Sequence, residues 1–151
     1  MTGDTALARS LLSSGGLTLA LCRRGMPVTS TMRGVAPLLE LLDAGGDWTG
    51  ACAADRVVGA GAAWLYVLLG VAEVWTPVMS RPARRILRTH GVSVVAQRVT
   101  AGISNRAGTG PCPVEAAVAG IDDPEEALDA IRRTLARLSA GAPLPKEPVT
   151  T

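Results

Sequence analysis

The sequence has no phenylalanine, one tyrosine, one histidine, one lysine (Lys146) and three cysteines in 151 residues. Without phenylalanine the core must be built from Leu, Val and Ala, with Trp48, Trp64 and Trp75 as its bulky anchors. The lone histidine, His90, stands before Gly91 at a predicted helix end, where a cation suits the dipole. With His90 in that role, no Ser-His-Asp or Cys-His pair is available for conventional hydrolysis. The cysteines show neither CxxC nor zinc-ribbon spacing, and no leader-like stretch precedes the first helix, so we expect a reduced, cytoplasmic chain. The uncharged run over 57–72 is shorter than the roughly 20 apolar residues of a spanning helix and holds three glycines. It reads as a buried helix, and no membrane partner is expected. Net charge is +2, and apart from the 81–88 cluster the arginines are scattered, so nucleic acid is not expected either.

What is present reads as one domain over 5–139. Asp4 is expected to cap a first helix with Leu7, Ala8, Leu11 and Leu12 at helical spacing. Residues 17–22 alternate with period two, Arg23-Arg24-Gly25 turns the chain, and 26–31 returns as the second arm of a hairpin. Pro37 and the following leucines mark a helix over 35–44, stopped by Gly45-Gly46. Residues 48–53 then lead into a central helix placed at 54–69, with Asp55 in its first turn and Gly70 after its end. A strand over 71–77, a helix over 82–90 capped by Ser80, and a strand over 92–99 follow. This rhythm predicts parallel strands joined by a right-handed crossover. Short helices are expected near 113–119 and, from the capping box at Asp123, along a stripe of Leu128, Ile131, Leu135 and Leu138. Residues 140–151 hold three prolines and no periodicity, and read as a disordered tail.

The order of elements resembles the cytidine-deaminase-like fold, an α/β architecture with three α-β-α layers around a mixed sheet. The segments at 29–34, 53–59, 65–71 and 105–113 (the last reading NRAGTGPCP) resemble a prokaryotic family known only as a domain of unknown function. That resemblance covers about 7–138 and implies the deaminase-like architecture and candidate positions, without a reaction.

A zinc deaminase holds its metal with a His-x-Glu or Cys-x-Glu at the start of the central helix and a Pro-Cys-x-x-Cys at the start of the next. If Asp55 matches the glutamate, Ala53 stands at the ligand position and cannot bind metal. After the next strand, Val78 and Arg81 replace both cysteines. Pro111-Cys112-Pro113-Val114-Glu115 resembles a decayed second motif, but it falls one strand too late and offers two ligands at most. No metal and no cofactor are expected, and a conventional nucleoside deaminase is the weaker alternative.

In an open sheet, ligands collect beyond the carboxyl ends of the parallel strands. On that rule the segments Ser30 to Arg33 (with Ser30, Thr31 and Arg33), Thr76 to Arg81 (with Ser80) and Asn105 to Glu115 should converge with Asp55 on one crevice. Cys112, opening a helix, is the candidate nucleophile, its alternative an inert buried thiol. Cys22 and Cys52 read as core. Asp55 is a candidate general base or ligand acceptor, its alternative a helix cap. Glu115 is a third candidate for the chemistry, orienting Cys112 or capping its own helix. The loop of Asn105, Arg106, Gly108, Thr109 and Gly110 could cradle a phosphate or carboxylate, and Arg33 could add a second anion contact. Arg81, Arg84, Arg85 and Arg88 read most simply as a solvated helix face. The expected function is binding of a small anionic or nucleotide-like metabolite without zinc, with chemistry on it left open. The alternative is a non-catalytic regulatory or interaction module, and a homo-oligomer through sheet-edge pairing also stays open.

Overall fold

The computed structural model describes residues 1–104, 108 and 110–140. In chain order its elements are α1 (Gly3–Ser13), β1 (Leu19–Arg23), β2 (Met26–Ser30), α2 (Ala36–Ala44), β3 (Cys52–Asp55), β4 (Val57–Val58), α3 (Ala60–Leu69), β5 (Glu73–Ser80), α4 (Arg81–Thr89), β6 (Ser93–Thr100), α5 (Pro113–Ala117) and α6 (Pro124–Ser139). The expected tail at 141–151 lies outside the described residues.

The hairpin forms as expected. Its two-residue turn puts both Arg24 (φ 53°) and Gly25 (φ 77°) in the left-handed region, and the turn N–H groups donate to the two carboxylate oxygens of Asp4 at 2.9 and 3.0 Å. Asp4 therefore does not cap α1, as the sequence suggested. Thr2 does, its hydroxyl accepting from the N–H of Thr5, and Asp4 is spent on the turn.

β1 pairs antiparallel with both β2 and β3, while β3 and β4 pair parallel with β5, and β5 pairs parallel with β6. β3 and β4 lie along β5 in unbroken register, so they form one interrupted strand. Both ladders on β5 skip Pro77, which has no N–H to donate. Every strand except β1 thus points the same way, and the carboxyl ends of β2, β3, β5 and β6 share one edge of the sheet.

The result is a three-layer α/β architecture with a mixed sheet, as expected. The two faces can be read from β1: Ala20 and Cys22 pack with Ala8 and Leu12 of α1 and with Trp75, whereas Leu19 and Leu21 point into the main core. Arg9 stacks its guanidinium 4.7 Å above the Trp75 ring, closing the α1 side. On the other face α3 is the centre of the core, its residues 60–66 all buried and α2, α4, α5 and α6 packed around it. His90 caps α4, its Nδ1 2.9 Å from the carbonyl of Ile86 and its ring edge-on to Trp64, in line with a structural role.

The central segment is where the expected boundaries fail. Residues 52–55 belong to a strand, and the helix starts at Ala60 rather than 54. Ala53 and Ala54 are buried on opposite faces, so the strand shows no polar alternation, and alanine's helix preference points the wrong way. Asp55 accordingly ends a strand and caps no helix. The next strand also runs further than expected, to Ser80, whose hydroxyl does cap α4 by accepting from the N–H of Ala83.

Candidate functional site

A cavity of about 800 Å³ opens at the shared carboxyl edge of the strands, within the size range of small-molecule sites. Its walls are largely apolar, drawn from Val35 and Leu38 of the α2 region, Ala62 of α3, and Leu135 and Leu138 of α6. Polar side chains interrupt them, among them Arg33, Asp55, Arg56, Cys112 and Glu115.

Asp55 is delivered by β3 at the point where the interrupted strand breaks. Tyr66, fully buried on α3, donates its hydroxyl to Asp55 Oδ2 at 2.6 Å. Loss of water around the Asp55 carboxyl pushes its pKa up to about 6, against the pull of the Tyr66 hydroxyl and the N–H groups of Val57 and Arg56. Burial and the adjacent carboxylate drive the Tyr66 phenol well above its usual range, so it stays a donor. The pair therefore offers the cavity a carboxyl that exchanges its proton near neutrality.

Glu115 is held differently. Its Oε2 accepts from the N–H of Ala60 at 2.8 Å and from the Ser80 hydroxyl at 2.5 Å, and its Oε1 accepts from the N–H of Ile103 at 2.7 Å. The Ala60 N–H is a free donor of the first turn of α3, whose N-cap Gly59 has no side chain to satisfy it. Glu115 thus caps α3 in trans and does not cap α5, the helix it sits on. It also links the N-termini of α3 and α4 to the chain leaving β6. The close approach requires glycine: a Cβ on Gly59 would lie 3.2 Å from Glu115 Oε2, and one on Gly61 would lie 2.4 Å from Val114 Cγ1. α5 docks on α3 through these two positions.

Of the expected site residues, Arg33, Asp55, Cys112 and Glu115 line the cavity together. Ser80 reaches it only through Glu115, its own side chain being buried and bonded on both sides. Ser30 turns its hydroxyl to the N–H of Met32, and neither it nor Thr31 lines the cavity. In the glycine-rich loop, Gly108 takes a φ of 70° and Gly110 precedes the Ser104–Pro111 bridge that closes the loop, while Asn105, Arg106 and Thr109 lie outside the described residues. Cys112 is half-buried, its backbone tied to Ile103, and Cys22 and Cys52 are core. Tyr66 and the α6 leucines were not singled out for the site from the sequence. Tyr66 had a signal: it shares a helix face with Ala62, which borders the cavity.

Residues 7–135 match the family described as TM1506, a domain of unknown function (DUF1893). The chain belongs to that family. A crystal structure of a DUF1893 family protein (TM1506) from Thermotoga maritima is 24% identical, with a TM-score of 0.78 over 91% of this chain and 92% of that one, and it shows the same fold. A diaminohydroxyphosphoribosylaminopyrimidine deaminase/5-amino-6-(5-phosphoribosylamino)uracil reductase from Thermotoga maritima is 11% identical, with a TM-score of 0.41 over 85% of this chain and 36% of that one. So distant a likeness supports no argument. No curated protein matches the chain.

The zinc of a deaminase-like site can be tested on the DUF1893 chain's own donors. α3 opens on Gly59, Ala60 and Gly61, and α4 opens on Ser80, Arg81 and Pro82. None of these is a metal ligand of the zinc type. The nearby carboxylate of Glu115 already accepts three hydrogen bonds, and among the described residues no three His, Cys, Asp or Glu side chains gather to hold an ion. These residues do not fit a zinc. Ala53 and Asp55, which the sequence suggested as the ligand and glutamate positions of a helix start, lie on β3 instead.

Proposed function

We propose that this DUF1893 chain binds a small anionic or nucleotide-like metabolite in the cavity at the strand ends, with Asp55 as the group that exchanges a proton with it. The observation that carries this reading is the Asp55–Tyr66 pair, a carboxyl with a pKa near 6 opening into an apolar-walled cavity. Apolar walls suit a ring, Arg33 supplies a cation for an anionic substituent, and Asp55 accepts from an amine, hydroxyl or ring N–H. Cys112 is the only thiol on the cavity wall and is the group to test for covalent chemistry. Glu115 serves as a positioning residue: its three acceptor bonds hold the helix starts that frame the cavity.

A metabolite panel read by thermal shift, with native mass spectrometry for co-purifying compounds, tests the reading. A binder should raise the melting temperature, and Asp55→Asn should abolish that rise in a protein that still folds. A binder whose shift survives Asp55→Asn and Cys112→Ser would place the ligand elsewhere.

A second reading, a non-catalytic interaction module, rests on the other end of the sheet. The edge strand β2 exposes Met26 at 72% and Val28 at 40%, and Met32 just beyond it is exposed at 40%. A chain that gives no shift with any metabolite, yet self-associates and loses that association in Met26→Lys/Val28→Lys, would favour it.

A further inference from the structure

α4 breaks three rules of helix design at once. Arg81 stands in its first turn, next to the positive end of the dipole, with no acidic residue there to offset it. Arg81 and Arg85 repel at a spacing of four, and so do Arg84 and Arg88. Among the described residues, ion pairs form at Arg23, Arg132 and Arg133, and at none of these four. The core contacts of the helix do not require this arrangement, because Ala83, Leu87 and the partly buried Ile86 supply them. Charge kept at a cost in local stability points to a use for the charge.

The four side chains also make a shape. With Thr89 they border an open concavity of about 430 Å³, and among the described residues no other lines it. No aromatic ring lines it to stack a base. Four arginines around a small, open hollow suit a compact ligand with several adjacent anionic oxygens.

We infer that the arginine face of α4 is a binding site for a polyphosphate chain of about three or more linked phosphates, separate from the cavity at the strand ends. Inorganic polyphosphate and the phosphate tail of a nucleoside triphosphate share this chemistry. Neutralising the repulsion along α4 should stabilise the fold as the ligand binds.

Titration of the full chain with tripolyphosphate in low-salt buffer, by calorimetry and thermal shift, tests this. Tripolyphosphate should bind and raise the melting temperature, and the Arg84→Gln/Arg88→Gln double variant should bind it roughly a hundred-fold more weakly, about ten-fold per guanidinium. Arg85→Gln, at an exposed position, gives the same test with a loss of about ten-fold should the double variant fold poorly. Adenosine triphosphate binding as tightly as tripolyphosphate supports a site for the phosphate chain alone, and tighter binding supports a nucleotide source. Asp55→Asn should leave tripolyphosphate affinity unchanged. The inference falls if sodium chloride at equal ionic strength gives the same shift, if the arginine variants bind like the parent, or if Asp55→Asn removes binding, which would move the ligand to the cavity. It falls also if an RNA oligonucleotide binds far more tightly than tripolyphosphate at equal phosphate, because that marks an extended polyanion surface.

Discussion

The cavity at the strand ends and the outer face of α4 meet at Ser80, yet they treat charge in opposite ways. In the cavity each carboxyl is provided for: Glu115 takes three donors and Asp55 takes the Tyr66 hydroxyl and two backbone N–H groups. On α4 four guanidinium groups share a solvent-facing hollow with no carboxylate beside them. The difference follows from water. A buried charge without partners costs more than the fold can spare, whereas an exposed one costs only a few tenths of a kcal/mol and can be left unpaired. Burial dictates the partners of Glu115, and solvent leaves α4 free to keep its charges unpaired.

The largest effect should come from breaking the Glu115 node. Glu115→Ala strands the Ala60 and Ile103 N–H groups and the Ser80 hydroxyl together, and we expect a loss of about 4 kcal/mol in urea-induced unfolding. A variant within about 1 kcal/mol of the parent would show that water replaces the carboxylate easily. Gly61→Ala comes next. Alanine favours a helix by about 1 kcal/mol over glycine, but here its Cβ meets Val114 at 2.4 Å, and a stiff β-branched neighbour cannot step aside. We expect net destabilisation of about 2 kcal/mol, partly relieved in Gly61→Ala/Val114→Ala, and a stabilised single variant would contradict that packing.

The third prediction concerns pH. The folded-state pKa of Asp55, about 6, lies above the ordinary 3.8 of an aspartate in the unfolded chain, so the folded protein holds the proton more tightly. The stability this group contributes is whole below about pH 4 and is lost as pH rises through 6. The loss should be about 1–2 kcal/mol, after allowing for cavity water around the carboxyl. Denaturation curves of the parent should carry this slope and those of Asp55→Asn should lack it; equal slopes would mean that Asp55 is not the titrating group. The smallest effect belongs to α4. Removing two of its guanidinium groups should raise the melting temperature by about 1 °C in the absence of ligand, since the like-charge pairs are worth about 0.2–0.5 kcal/mol each. A drop would mean that the arginines make stabilising contacts.

Much of this fold could be read from local signals. The hairpin turn at Arg24-Gly25, the Ser80 and Asp123 caps, the Gly45 and Gly70 stops and the apolar stripe of α6 all act within a few residues, and each appears where the sequence placed it. The strand at Cys52–Asp55 was not legible, because a short strand buried on both faces has no alternation and its alanines favour a helix in isolation. Asp4 and Thr2 exchanged roles for a similar reason: the hairpin turn, some twenty residues away in sequence, claimed the Asp4 carboxylate.

The site divides along the same line. The sequence by itself determined which strand ends coincide, through chain order and the crossover rule; of the residues gathered there, Arg33, Asp55, Cys112 and Glu115 line the cavity and Ser30 and Thr31 do not. Only the tertiary structure decided what each of these groups does. Glu115 and Ala60 are 55 residues apart, and no local pattern specifies that a glutamate on α5 will satisfy a donor that Gly59 leaves open on α3. Asp55 reaches its shifted pKa only once packing has removed its water, against the opposing hydrogen bond from Tyr66. Hydrogen-bond partners and desolvation are properties of the packed interior, so they come into being with the fold.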